Sequence, residues 1–441
     1  MSRILIASIQ VTGHVLPALP IARVLVERGH EVWFYTGAKF RAKVEATGAT
    51  YLPMSPQYDY DDSKMSEVFP ERDRLKGLSQ LKFDLKHAFI DAARGQLADL
   101  EPVIQRLQPD LMLTDPAFTG GMPLRYRFDI PLVLYGILPL TATSRDTAPY
   151  GLALLPDNSP LGRLRNRALN WFSEKVVMGD VQRYAANVMS ELGVPNVPFH
   201  LFDFAAEADL FLQFTDEAFE YPRSDLKGEI HFVGPILPSL SMSDFTPPSW
   251  WAEMIESRKP VVHVTQGTLA TDSAQLIRPT LQALADEDVL VIVATGGKPA
   301  ESIGMDPLPA NARVEPFIPY GPFLPHVDVM VTNGGYGGVH LALANGIPLV
   351  VAGASEDKPE VANRVAWSGV GLNLKTGRPT PAQIKSAMRR ILSDPTYREH
   401  ARQMQARFLS HDAPNEAADL MEALIARWKA KATVEGVAAK A

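Results

Sequence analysis

The chain has 441 residues, with 43 Lys and Arg against 50 Asp and Glu, a formal net charge of −7, and no cysteine. Its length predicts two or three domains, and 46% hydrophobic with 21% charged residues is a globular composition. The acidic balance, with no Lys or Arg run to offset it, argues against nucleic-acid binding, and the lack of cysteine excludes disulfides, thiolate nucleophiles and thiolate-bound zinc.

Met1-Ser2-Arg3 precedes an apolar run too short for a signal peptide or a spanning helix, so a cytoplasmic location is expected. Residues 4–9 form that run, rich in Ile, and read as a buried parallel strand. A short loop, 10–14, leads into helical spacing over 15–28, with Gly29 as its C-terminal cap. Residues 31–35, 111–114 and 132–135 read as further strands of the same sheet. Segments 55–100 and 140–200 have helical patterning and few strand signals, as insertions that build a pocket over the sheet would. Residues 235–250, rich in Pro and Ser, read as a linker.

The second half repeats the grammar. Residues 261–264 read as a strand, 265–268 as a loop, 273–285 as a helix, and 289–294 as a strand ending at Thr295-Gly296-Gly297. A strand over 327–331 leads into the glycine run 334–338 and a helix that ends near Gly346. A strand over 349–351 and a helix over 359–367 with Pro at its first turn follow. The chain is then helical almost throughout, with a last helix over about 417–431. The predicted fold is α/β: two Rossmann-like, doubly wound domains with a cleft between them. The first spans 1–234, the linker 235–250 and the second 251–415, with 416–441 a helix returning to the first.

Ligands of open parallel sheets sit beyond the carboxyl ends of the strands. Gly13 and His14 lie there, and a histidine is suited to take a proton from a hydroxyl. Alone, such a residue more often caps a helix or satisfies the backbone. Asp115, at another strand end, is a candidate partner, since an aspartate accepting from imidazole orients the ring and stabilises its cation. Its plain reading is a turn residue before Pro116. Gly334-Gly335-Tyr336-Gly337-Gly338 opens a helix, where exposed amides favour an anion and glycines let it approach. It matches neither the dinucleotide fingerprint nor a P-loop, and tight strand–helix packing is the alternative reading. Thr268 closes a second strand-end loop facing the same way.

Taken together these residues resemble the UDP-glycosyltransferases of GT-B fold, in the bacterial branch that decorates antibiotics, flavonoids and other small molecules. The likeness covers nearly the whole chain. It is densest at Gly13-His14-Val15-Leu16-Pro17, at Phe317-Ile318-Pro319, from Thr332-Asn333-Gly334-Gly335 to Asp357-Lys358-Pro359, and at Asn363-Arg364-Val365. Tyr221-Pro222-Arg223 and Phe232-Val233-Gly234-Pro235 add to it. The resemblance implies an inverting transfer of a hexose from a dTDP- or UDP-sugar to a hydroxyl of a small apolar acceptor. His14 would be the general base and Asp115 its support. Gly13, Thr268, Asn333, Gly334, Gly335, Gly337 and Gly338 would hold the donor, with Phe317 stacking on the base, Ile318 reading its edge, and Asp357 and Lys358 on the sugar. No metal or cofactor is implied, and the protein would be a monomer or homodimer without membrane or nucleic-acid contact.

Three departures touch the donor site. Asn333 replaces a phosphate-binding His, Lys358 a sugar-binding Gln, and Leu341 a ribose-binding Glu. Leu341 cannot accept from a ribose hydroxyl, which favours dTDP unless His340 or a water compensates. A nucleotide-sugar epimerase or hydrolase of the same fold, and a non-catalytic nucleotide-sugar-binding accessory protein, are the competing readings. Asp59-Tyr60-Asp61 and Asp286-Glu287-Asp288 read as solvated acidic turns rather than metal ligands. The stretch 161–177, with Arg163, Arg165 and Arg167 beside Trp171 and Phe172, reads as an ordinary amphipathic helix with a solvated basic face rather than a bilayer-binding one.

Overall fold

The computed structural model describes residues 1–61, 64–194, 202–237, 246–267 and 272–438. The first sheet holds β1 Arg3–Ala7, β2 Glu31–Thr36, β3 Thr50–Pro53, β4 Leu111–Thr114, β5 Leu132–Gly136, β6 Leu210–Gln213 and β7 Ile230–Phe232. Their order is β3-β2-β1-β4-β5-β6-β7, and the pairings are parallel. Chain order runs outward from β1 to β3 and then reverses to β4, so the switch point lies between β1 and β4.

Both faces of this sheet are covered, which is why β4 and β5 are apolar without alternation and fully buried. Along β1 the side chains still divide with period two. Ile4 and Ile6 join a core shared with Val15 and Ile21 of the helix Thr12–Glu27, whereas Leu5 and Ala7 join one shared with Leu97 and Leu100 of the helix Ala92–Leu107.

The second sheet holds β8 Val261–Thr265, β9 Leu290–Ala294, β10 Ala312–Glu315, β11 Val329–Thr332, β12 Leu349–Val351 and β13 Gly371–Asn373. It is ordered β10-β9-β8-β11-β12-β13 and parallel, with its switch point between β8 and β11. Phe219 already reaches the second core from the first half, and the chain then passes from the first core at Ile236 to the second at Leu237. It returns through the helix Ala413–Ala438, whose Ala417, Met421 and Ile425 lie in the first sheet's core. Arg28 binds Asp419 at 2.6 Å and His30 binds Glu422 at 2.9 Å along that helix.

Two elements depart from expectation. The helix expected over 273–285 runs only over Ile277–Leu284, because the Gln266 side chain accepts from Ile277 N–H at 3.0 Å and displaces the first turn. The helix Pro160–Phe172 turns its polar face inward. Leu161, Leu164 and Trp171 are exposed while Asn166 is buried. Asn166 and Asn170 donate to the carbonyls of Arg145 and Ser144, each at 3.0 Å, and Arg163 pairs with Asp146 at 2.8 Å. These contacts outbid the apolar stripe that the pattern would have buried.

Among the described residues no helix is long and apolar enough to cross a membrane.

Candidate active site

β1 and β4 are hydrogen-bonded neighbours, with Ala7 opposite Thr114, so the loops after them emerge side by side at the first switch point. His14 stands in the first turn of the helix that follows β1, and Asp115 directly follows β4. His14 Nδ1 lies 2.8 Å from Asp115 Oδ1. The carboxylate is fully buried and also accepts from Ile9 N–H at 3.1 Å and Ala117 N–H at 2.9 Å, so it is locked in place. An aspartate accepting from Nδ1–H selects the tautomer whose lone pair is on Nε2. Tyr135, in β5, donates its hydroxyl to the His14 carbonyl at 2.9 Å and pins the turn that carries the imidazole. Burial and the nearby Asp115 charge push that phenol well above its usual range, so it remains a donor.

The second switch point has a parallel construction. Gln266 follows β8, Asn333 follows β11, and the Asn333 amide donates to the Gln266 carbonyl, tying the two loops together. Gly334 has a φ of +89°, and a Cβ there would lie 2.7 Å from Val351 Cγ1, so glycine is required. The next glycines differ. A Cβ on Gly335, Gly337 or Gly338 would meet no protein atom within 4 Å. They line open space at the start of the helix Tyr336–Ala344, whose first amides lack intrahelical acceptors. Such an opening can cradle an anion. At the end of β10, the Phe317 ring lies against Gly297 and is 66% exposed, whereas Ile318 is buried in the second core.

Asp357 precedes the helix Lys358–Trp367. Burial pushes its carboxyl up to about 6, with Lys358 opposing, Glu356 reinforcing, and His14 acting from the other half of the molecule. The loop after β12 thus lies within electrostatic reach of His14. Lys358 is buried and paired with Glu356, whose backbone is left-handed at φ +57°.

Beside this cleft the halves are joined by buried polar contacts. Gln213 donates to the Tyr336 hydroxyl at 3.0 Å, and Thr215 Oγ1 meets His340 Nε2 at 2.7 Å. Arg364 pairs with Glu220 at 2.9 Å and Glu360 at 3.2 Å, with its guanidinium over the Tyr221 ring at 4.2 Å.

The comparisons with known proteins bear on this arrangement. Residues 278–424 match the family model "Erythromycin biosynthesis protein CIII-like, C-terminal domain". The chain is 45% identical over 425 residues to 4'-demethylrebeccamycin synthase of Lentzea aerocolonigenes, covering 96% of this chain and all of that one. It is 35% identical to UDP-glycosyltransferase 2 of Phaeomoniella chlamydospora, over 96% of each chain. The chain belongs to the UDP-glycosyltransferase family. The crystal structure of the calicheamicin glycosyltransferase CalG4 superposes with a TM-score of 0.71 at 25% identity, covering 97% of this chain and 99% of that one. Two facing Rossmann-like sheets are thus the GT-B architecture, and this glycosyltransferase is built on it.

In this glycosyltransferase the fold gathers most of the residues singled out from the sequence. His14 and Asp115 are bonded, Gly13 is exposed beside them, and Asn333, Gly334, Gly335, Gly337 and Gly338 form the facing loop. Thr268 lies outside the described residues. One suggestion fails on geometry. His340 cannot receive a ribose: its Nδ1 bonds the Tyr336 carbonyl at 2.8 Å, Thr215 takes its Nε2, and burial lowers its pKa to about 4. The Asn333 amide is already engaged with Gln266, so it braces the loops as well as facing the cradle. Leu341 packs partly against the second core. The acidic turns are ion-paired: Asp61 with Lys39, Asp288 with Lys259, and Glu287 with Lys385 and Arg389, which hold its carboxyl down at about 2. Among the described residues no group of three or more His, Asp or Glu is disposed to hold a metal.

Sequence reasoning passed over Tyr135, and it considered Glu360 only as a possible partner of Lys358. Tyr135 was legible only as the last letter of a strand. Glu360 shows no periodic signal for this, because its partners Gly151 and Ala153 come from the other half.

Proposed function

We propose that this chain is an inverting, metal-independent glycosyltransferase that moves a hexose from a dTDP- or UDP-sugar to a hydroxyl of a small apolar acceptor. The observation that carries the reading is the His14–Asp115 dyad at one switch point, together with the glycine cradle at the other. The acceptor O–H gives its proton to His14 Nε2 as its oxygen bonds to the anomeric carbon. The bond from that carbon to the diphosphate oxygen breaks with its electron pair, and Asp115 stabilises the imidazolium that forms. Charge on the leaving diphosphate falls on the amides that open the helix Tyr336–Ala344, so no cation is needed. Phe317 offers an exposed ring for the base, and Asp357 a carboxylate for sugar hydroxyls. Exposed Leu16, Leu138 and Leu152 on the first half suit an apolar acceptor. The relative named 4'-demethylrebeccamycin synthase supports a natural-product acceptor. Leu341 offers a ribose no hydrogen bond, which favours the thymidine nucleotide.

The test is to supply dTDP-glucose and UDP-glucose side by side, in EDTA, with a panel of phenolic and alicyclic acceptors. The expected product is a glycoside of inverted anomeric configuration, formed faster from dTDP-glucose. Retained configuration, or loss of activity restored by Mg²⁺, contradicts the mechanism. Faster turnover of UDP-glucose overturns only the nucleobase assignment.

A further inference from the structure

The segment after β5 crosses from the first half to the second and is held there by backbone contacts. Glu360, buried in the helix Lys358–Trp367, accepts from Gly151 N–H and Ala153 N–H, both at 2.9 Å, and the Asn363 amide donates to the Ala153 carbonyl. Arg364 steadies Glu360 from the next turn at 3.2 Å. One carboxylate oxygen thus receives two main-chain donors, so the strap is fixed in register against the helix that begins beside Asp357.

Tyr150 lies in this strap. Its ring sits 5.9 Å from Phe202, and its hydroxyl is buried with no hydrogen-bond partner among the described residues. The charged groups acting on the phenol are, in descending order, Asp357, Glu360, Arg364 and Glu220, and burial among them holds it un-ionised. An orphaned buried hydroxyl costs free energy comparable to a lost hydrogen bond, so its presence calls for a cause. Glu360 and Arg364 are engaged with the strap and with Glu220, whereas Asp357 stands just before their helix and His14 is among the charges acting on it. The phenol adjoins Gly151, which Glu360 holds three residues after Asp357, and its O–H is unused.

We propose that the Tyr150 hydroxyl is a ligand of the donor sugar, presented from the first half by a strap that the second half holds in place. The inference rests on the reading of Asp357 as a sugar ligand. Tyr150 bonds a hydroxyl of the hexose beside the one that Asp357 accepts. The sugar, rather than the nucleotide, then senses whether the two halves are together. Discrimination among sugars differing at that hydroxyl arises from the acceptor-side wall as well as from the donor loops.

Tyr150→Phe removes one oxygen and keeps the ring. The measurements are KM and kcat for the intact nucleotide sugar, the Kd of the free nucleotide diphosphate, and relative kcat/KM for a series of monodeoxy-sugar donors. The expected result is a KM raised about fivefold to tenfold, an unchanged Kd, and loss of the wild-type penalty at one deoxy position. Unchanged KM and unchanged discrimination overturn the inference, as does an equal weakening of nucleotide and nucleotide-sugar binding, which marks a purely structural role. Asp357→Asn, measured alongside, separates the two levels. If it leaves sugar discrimination intact, the sugar-site reading beneath the inference is wrong. If it alters discrimination while Tyr150→Phe does not, only the Tyr150 assignment is wrong.

Discussion

In the proposed site Asp357 combines partial burial with a task that needs its charge. Its carboxyl is pushed up to about 6 by burial, so the folded protein binds that proton more tightly than the unfolded chain does. The contribution to stability is therefore fully present below the ordinary value of 3.8 and is lost as pH rises through about 6. Function has the opposite sign, because only the carboxylate above about 6 accepts from two sugar hydroxyls. Lowering the pH from 7 to 5 should weaken binding of the nucleotide sugar, relative to the free nucleotide, by about fivefold to tenfold. Asp357→Asn should flatten that ratio. Calorimetry with both ligands across this range checks it, and an unchanged pH profile in the variant assigns the titration elsewhere. At this scale the sequence was most informative where a residue's place follows from its own strand. His14 and Asp115 were legible because each stands at the end of an apolar run, and such ends lie on the same edge of a parallel sheet. Tyr150 was not, since nothing in residues 148–153 encodes that Glu360, some two hundred positions later, accepts from Gly151 and Ala153.

The helix Tyr336–Ala344 opens with glycines that its own geometry does not require. Gly337 and Gly338 lack the positive φ of Gly334, and a Cβ on either meets open space. Alanine is the better helix former by about 0.5–1 kcal/mol per residue. The double variant Gly337→Ala, Gly338→Ala should therefore be slightly more stable to urea. Its affinity for nucleotide diphosphate should fall by at least about tenfold, because the methyl groups occupy the space the phosphates need. Undiminished affinity would move the diphosphate away from this helix. Among the elements, strands that began each half were legible from their apolar runs, whereas β10 and β13 were passed over. β13 has three residues and β10 is only half-buried, too little for either a run or an alternation to register. The helix Pro160–Phe172 misled for a different reason: Asn166, Asn170 and Arg163 found backbone and carboxylate partners that reversed the face its apolar spacing favoured.

For the whole molecule, the repeat of strand–loop–helix grammar announced two doubly wound sheets, and the strand orders bear this out. What composition and period did not convey is how the halves meet. The seam of Gln213 with Tyr336, Thr215 with His340, and Glu220 with Arg364 joins residues far apart in the chain. It joins the half that carries the His14 dyad to the half that carries the glycine cradle. In this account the two walls have separate tasks: the first half activates the acceptor, and the second holds the nucleotide and accepts the leaving charge. The decisive measurement is on His14→Ala, with single-turnover rate and nucleotide-sugar Kd determined on the same preparation, using an acceptor whose hydroxyl is un-ionised at the assay pH. The account predicts a rate lowered by about two to four orders of magnitude with the Kd nearly unchanged. A rate near that of the wild type would contradict it.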